Sequence, residues 1–183
     1  MEIPKNQIFI FDDVISETLC DELIKIINEE ATKEEKWGKG SNVQCKGIMA
    51  TCIKESEKYD KILFDILHEK ILELHKCDIT ITGDCGYNLR KISGATRQHK
   101  DGMVGNQDHK EVKTLELRTM SIVIALNSDY QGGEFSFPEQ NFMIKLKRGQ
   151  MLAFPPYWTH PHFTNALMDD TYRYTINTWL YGK

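Results

Sequence analysis

No Cys-x-x-Cys pair occurs in this chain, and its five cysteines, Cys20, Cys45, Cys52, Cys77 and Cys85, are an odd number. That combination suits neither a disulfide framework nor a cysteine zinc site, and leaves reduced, mostly buried thiols as the reading. Long apolar runs are also missing, which excludes a membrane-spanning helix. The first twenty residues, MEIPKNQIFIFDDVISETLC, lack the basic start, apolar middle and small-residue cleavage site of a secretory signal, so a cytoplasmic protein is expected. Nor is there a basic excess. With 23 Lys and Arg against 27 Asp and Glu, the net charge is −4, which argues against a general binder of nucleic acid. The local cluster Lys33, Lys36, Lys39 and Lys46, around Trp37 and Gly38, reads as a solvated loop.

What is present fits a globular protein: 40% hydrophobic and 27% charged residues, over a length that suits one domain with a substantial core. No repeat, low-complexity tract or linker divides it. Gln7 to Val14 is a short apolar run of strand character, after which Ser16 offers a cap to a helix carrying Leu19, Leu23, Ile24, Ile26 and Ile27 and ending near Glu30. Thr32 to Gly47 is polar and reads as a loop. A second amphipathic helix is expected from Ser56 to His75, its buried stripe being Tyr59, Ile62, Leu63, Ile66, Leu67, Ile71 and Leu74. After Cys77 the texture turns to short strands, expected at 79–82, 87–92, 119–126, 134–137, 142–146, 150–154 and 172–181, with glycines at the breaks. The expectation is a single domain over 1–183, mainly β, in which a helical support (1–78) packs against a rolled double sheet (79–183).

Two segments carry candidate chemistry. In extended backbone, residues two apart project to the same side, so His99 and Asp101 in Gln98-His99-Lys100-Asp101-Gly102 can present a nitrogen and an oxygen to one cation. A third imidazole, from His160 or His162, would complete the two-histidine, one-carboxylate set that leaves positions open on Fe(II) for oxygen chemistry. Further on, Arg173, Thr175, Asn177 and Trp179 share one face of a strand pattern. Buried, Arg173 would need a carboxylate partner, and its guanidinium fork suits the far end of a dicarboxylate. On the surface, it would pair instead with Asp169 or Asp170.

In order along the chain, His99-x-Asp101, Arg118 through Asn127, Tyr130 through Pro138, Arg148-Gly149 leading to Phe154-Pro155, the histidine segment, and Arg173-Tyr174 through Trp179 resemble the prolyl 4-hydroxylase-like branch of the 2-oxoglutarate and Fe(II) oxygenases. The opening Ile8 to Val14 followed by a helix is similar to that branch as well. The resemblance implies a double-stranded β-helix (a jelly roll, cupin-like) and the ligands His99, Asp101 and a distal histidine. It also implies Arg173 as the anchor of 2-oxoglutarate, Ser121 as a helping hydroxyl, and ascorbate (vitamin C) as a possible reductant. The family's spacing from distal ligand to cation favours His162, whereas counting forward from Phe154 favours His160. Two departures stand out. Ala125 occupies a position where some relatives carry a tyrosine for the co-substrate, and Arg90, Lys91 and Thr96 fill a stretch where relatives place tyrosines.

The implied activity is hydroxylation of a C–H bond with release of succinate and CO2, on peptidyl proline as the family's usual substrate. The same chemistry on a nucleobase or small metabolite, or a non-catalytic metal-binding jelly roll, are the competing readings. Met103 to Glu116, rich in glycine, asparagine and charge, is a candidate substrate lid.

Overall fold

The computed structural model describes residues 4–35, 42–76, 79–102 and 118–182. The candidate lid at 103–116, Cys77 and most of the basic cluster around Trp37 lie outside the described residues.

Helix α1 (Glu17–Glu30) begins where the Ser16 hydroxyl accepts the Leu19 N–H at 3.2 Å, a cap worth about 1 kcal/mol. It buries Cys20, Leu23 and Ile27 along one stripe. Helix α2 (Ser56–His75) buries Tyr59, Leu63, Leu67 and Leu74 at the same helical spacing. The strands follow in chain order: β1 (Phe9–Phe11), β2 (Lys33–Glu35), β3 (Gln44–Met49), β4 (Ile81–Asp84), β5 (Asn88–Ser93), β6 (Thr96–His99) and β7 (Arg118–Ala125). After these come β8 (Gln131–Gly132), β9 (Phe135–Phe137), β10 (Phe142–Ile144), β11 (Met151–Phe154), β12 (His162–Thr164), β13 (Leu167–Met168) and β14 (Arg173–Gly182). Lys33–Glu35 and Gln44–Met49 correct the sequence reading by pairing antiparallel where a loop was expected, and the short β6, β8, β12 and β13 stand where no strand was expected. The polar surface of the β2–β3 pair and the glycine at the inward position 47 hide the alternation that marks a strand.

All the strand pairs described are antiparallel, and they build two main layers. The larger sheet runs β1-β11-β7-β14-β5-β3-β2, with β4 on β14; the smaller runs β10-β9-β12-β6. Strand β7 explains how the layers divide. Met120, Ile122 and Ile124 join the helical residues Leu23, Ile27, Leu63 and Leu67 in one buried cluster, while Val123 and Ala125 join Phe135, Phe137, Leu152 and Phe154 in a second. Alternate residues of one strand thus serve opposite faces. The second cluster fills the space between the sheets, and the candidate site adjoins it.

Candidate metal centre and its cavity

Strand β6 ends at His99, and β12 begins at His162, its registered partner across the small sheet. The two imidazole centroids lie 4.4 Å apart. Asp101, just beyond β6, brings Oδ1 to 3.5 Å from His99 Nε2 and 3.9 Å from His162 Nε2. One donor atom from each of the three falls within 4.8 Å of the others.

The hydrogen bonds fix which atoms face inward. His99 Nδ1 lies 2.9 Å from the Arg97 carbonyl, and His162 Nδ1 lies 3.1 Å from that of His160. A carbonyl only accepts, so each Nδ1 carries the proton in the neutral ring and each Nε2 is left toward Asp101, able to donate to it while the ring is protonated and offering a lone pair once the ring is neutral. Asp101 is prepared in the same way. Its Oδ2 accepts the Ser121 hydroxyl at 2.6 Å, its backbone oxygen accepts from Arg118 Nη1 at 2.7 Å, and the neighbouring Gly102 N–H bonds the Pro156 carbonyl at 2.8 Å. Oδ1 is left for a cation. The donor set therefore fits a divalent metal held on one face, with carbonyls and a hydroxyl orienting the ligands from behind.

Electrostatics agree. Burial alone would raise the Asp101 carboxyl, but the His99 hydrogen bond, the His162 ring and Ser121 together hold it below the carboxylate range. Burial pulls the His162 imidazole down against the attraction of Asp101. His99 also feels burial most, yet its bonds to Asp101 and the Arg97 carbonyl outweigh it and raise the ring's value. The two rings diverge because His162 is the more enclosed, edge-on to Phe154 at 4.7 Å, whereas the His99 side chain is 32% exposed.

The three groups open on a cavity of about 360 Å³, lined further by Val123, Phe135, Phe154, Arg173 and Trp179. Arg173 is 3% exposed, so the surface alternative with Asp169 or Asp170 is overturned. Its Nη1 donates to the Gly133 carbonyl at 2.7 Å and its guanidinium lies 4.7 Å from the Phe135 ring centre, but its buried Nε has no partner. Among the described residues no carboxylate pairs with it. A buried cation in the cavity wall with no carboxylate partner fits an incoming carboxylate.

His160 stands apart. It is as buried as His162, but its Nε2 lies 2.9 Å from the Asn6 carbonyl and its Nδ1 2.9 Å from the Thr159 hydroxyl. Both nitrogens are taken. The shared strand parity of the two histidines does not extend to position 160, because a turn from Tyr157 to His160 precedes β12. Ser121 likewise departs from expectation, since its hydroxyl proton goes to Asp101 and not into the cavity. Sequence reasoning missed the orienting role of Arg118, which also stacks on Trp179 at 3.8 Å. It missed too a buried threonine pair, Thr96 and Thr164, whose hydroxyls lie 3.0 Å apart. Strand facing could have flagged the pair once β6 and β12 were recognised.

Residues 87–181 match the family model described as the 2OG-Fe(II) oxygenase superfamily. No curated protein matches the chain in sequence. Among solved structures, the fold is similar to a viral collagen prolyl hydroxylase from Paramecium Bursaria Chlorella virus-1 in a 2OG complex, with TM-score 0.64, 18% identity and 96% of each chain covered. A prolyl hydroxylase from Trichoplax adhaerens, solved with a hypoxia inducible factor peptide fragment, gives TM-score 0.69 at 15% identity, covering 97% of this chain and 84% of that one. A Pseudomonas putida prolyl-4-hydroxylase gives 0.64 at 14% identity, covering 96% and 92%. These likenesses support the jelly-roll architecture.

Proposed function

Because this chain belongs to the 2OG-Fe(II) oxygenase superfamily, and is thus a 2-oxoglutarate-dependent dioxygenase, we propose that it hydroxylates proline in a peptide, with His99, Asp101 and His162 holding the iron and Arg173 the co-substrate. The observation that carries the reading is one cavity with three metal-competent donor atoms at one end and a buried, incompletely partnered guanidinium in its wall.

When bound, Fe(II) couples decarboxylation of 2-oxoglutarate by dioxygen to hydroxylation of a substrate C–H bond, giving succinate and CO2. The chain's own residues supply position and surroundings. His99 and His162 offer Nε2 lone pairs because carbonyls hold their other nitrogens, and Asp101 offers Oδ1 because Ser121 holds Oδ2. Arg173, desolvated by burial, regains through a bidentate carboxylate the interactions it lost. Val123, Phe135 and Phe154 limit water around the reacting centre. Half-buried Trp179 lines the mouth with the Arg118 guanidinium stacked on its ring, and the Glu35–Arg90 ion pair at 2.9 Å borders the same opening. The peptide substrate draws further support from the collagen and hypoxia inducible factor names carried by the structural neighbours.

The test is anaerobic loading with Fe(II) and 2-oxoglutarate, then oxygen with ascorbate and a panel of proline peptides, nucleosides and small metabolites. Succinate in step with hydroxyproline is the expected result. Succinate coupled only to a nucleoside or metabolite would replace the substrate, and no turnover with any of them would favour a binding module.

A further inference from the structure

Strand β14 turns four residues into the cavity, from the buried Arg173 through Thr175 and Asn177 to Trp179 at the mouth. Asn177 lies four residues, or roughly 13 Å, along the strand from Arg173, farther than a five-carbon diacid anchored there extends. It is registered with Val123, two residues along β7 from the Ser121 that holds Asp101. Asn177 therefore faces the part of the cavity next to the metal cluster and the mouth, through which a substrate enters.

Its amide is aimed. Thr175, 1% exposed, donates its hydroxyl to Asn177 Oδ1 at 2.7 Å, which holds the carbonyl oxygen toward Thr175 and turns Nδ2 the other way. Nδ2 then carries two protons with no protein acceptor among the described residues, on a half-buried side chain that lines the cavity. The side-chain acceptors of this wall are already engaged. Thr175 holds Asn177 Oδ1, and Arg90 holds both Glu35 oxygens, at 2.9 Å from Nη2 and 3.2 Å from Nε.

A wall with a spare N–H donor and engaged acceptors discriminates among substrates. An X–Pro bond is a tertiary amide, with a carbonyl to accept a hydrogen bond and no N–H to satisfy. A nucleobase or a secondary amide brings N–H donors, which would be enclosed here without partners, at a cost in binding.

We infer that Asn177 is a specificity-determining residue, whose Nδ2 donates to a backbone carbonyl of the peptide beside the target proline. Thr175 is the positioning residue that holds the amide in that orientation. The inference rests on the proline reading above and adds to it the group that reads the substrate's backbone.

The experiment is anaerobic calorimetric titration of the Mn(II)- and 2-oxoglutarate-loaded protein with a blocked peptide of Pro-Ala-Ala repeats, followed by turnover of the same peptide with Fe(II). Asn177→Leu, which keeps the side chain's shape and removes the donor, should weaken the peptide about fivefold, the loss expected of one neutral hydrogen bond. KM for the peptide should rise with kcat held within about twofold, and 2-oxoglutarate should bind within about twofold of the unaltered protein. Unchanged peptide affinity, or equal weakening of peptide and 2-oxoglutarate, would overturn the inference while leaving the proposed function standing. If Asn177→Leu fails to fold, Asn177→Ala removes the same donor and is judged by the same two ligands. An unaltered protein that loads Mn(II) and 2-oxoglutarate but neither binds nor hydroxylates the proline peptide would instead bring down the substrate reading, and the inference with it.

Discussion

His160 and His162 are two residues apart and equally buried, yet only one points a free lone pair at a carboxylate. Both rings proposed as metal ligands turn Nε2 toward Asp101, whereas His160 ties the Asn6 backbone to the Thr159 hydroxyl. Burial does not make a histidine a ligand. What distinguishes the two is whether the second nitrogen has already been satisfied by the protein.

The sharpest way to break that contrast is to remove each ring. His162→Ala is expected to abolish Mn(II) binding in calorimetry and succinate formation in the turnover assay, whereas His160→Ala should retain the metal. Retained metal in the first variant, or loss in the second, would reverse the assignment. Next in size is Ser121→Ala, which frees Asp101 Oδ2 and should weaken the metal by about 10–100-fold, as loss of orienting partners does elsewhere. His160→Ala should show its effect in stability, costing about 1–3 kcal/mol in urea unfolding because the Asn6 carbonyl is left unpaired.

The smallest effect, and the one that separates the two proposed ligand rings, is in pH. The His99 value is raised and the His162 value lowered, so as pH falls His99 takes up its proton first and His162 later. Metal must displace those protons. Affinity is therefore expected to drop about tenfold per pH unit below the raised His99 value, steepening only once His162 also titrates. Mn(II) titrations across the acid range would find a single steep slope if the rings titrated together.

The parts of the fold that were legible in the sequence were those whose apolar spacing had one period. Helix Ser56–His75 and the long β14 are examples, since one face of each is continuously apolar or inward. Hairpin β2–β3 was not legible, because Gly47 gives no apolar signal at an inward position; a side chain there would collide with Glu35, which reaches past it to Arg90. Strands β6 and β12 were missed for a related reason: they are short, and their inward residues are the polar ones, Thr96, His162 and Thr164. His99, Asp101 and Arg173 could be picked out by type and order. The proposed preference for His162 over His160 was only partly legible, since the two spacings disagreed, and it depends on a turn at 157–160 that moves the preceding histidine out of the strand.

The facing of His99 and His162 across two adjacent strands has a consequence for assembly of the protein. If β12 slid by a single position, its histidine would swing to the opposite side and a bound ion would lose a proposed ligand. A metal that binds only the correctly aligned chain acts as a proofreader of that small sheet, rewarding the native pairing in proportion to its free concentration.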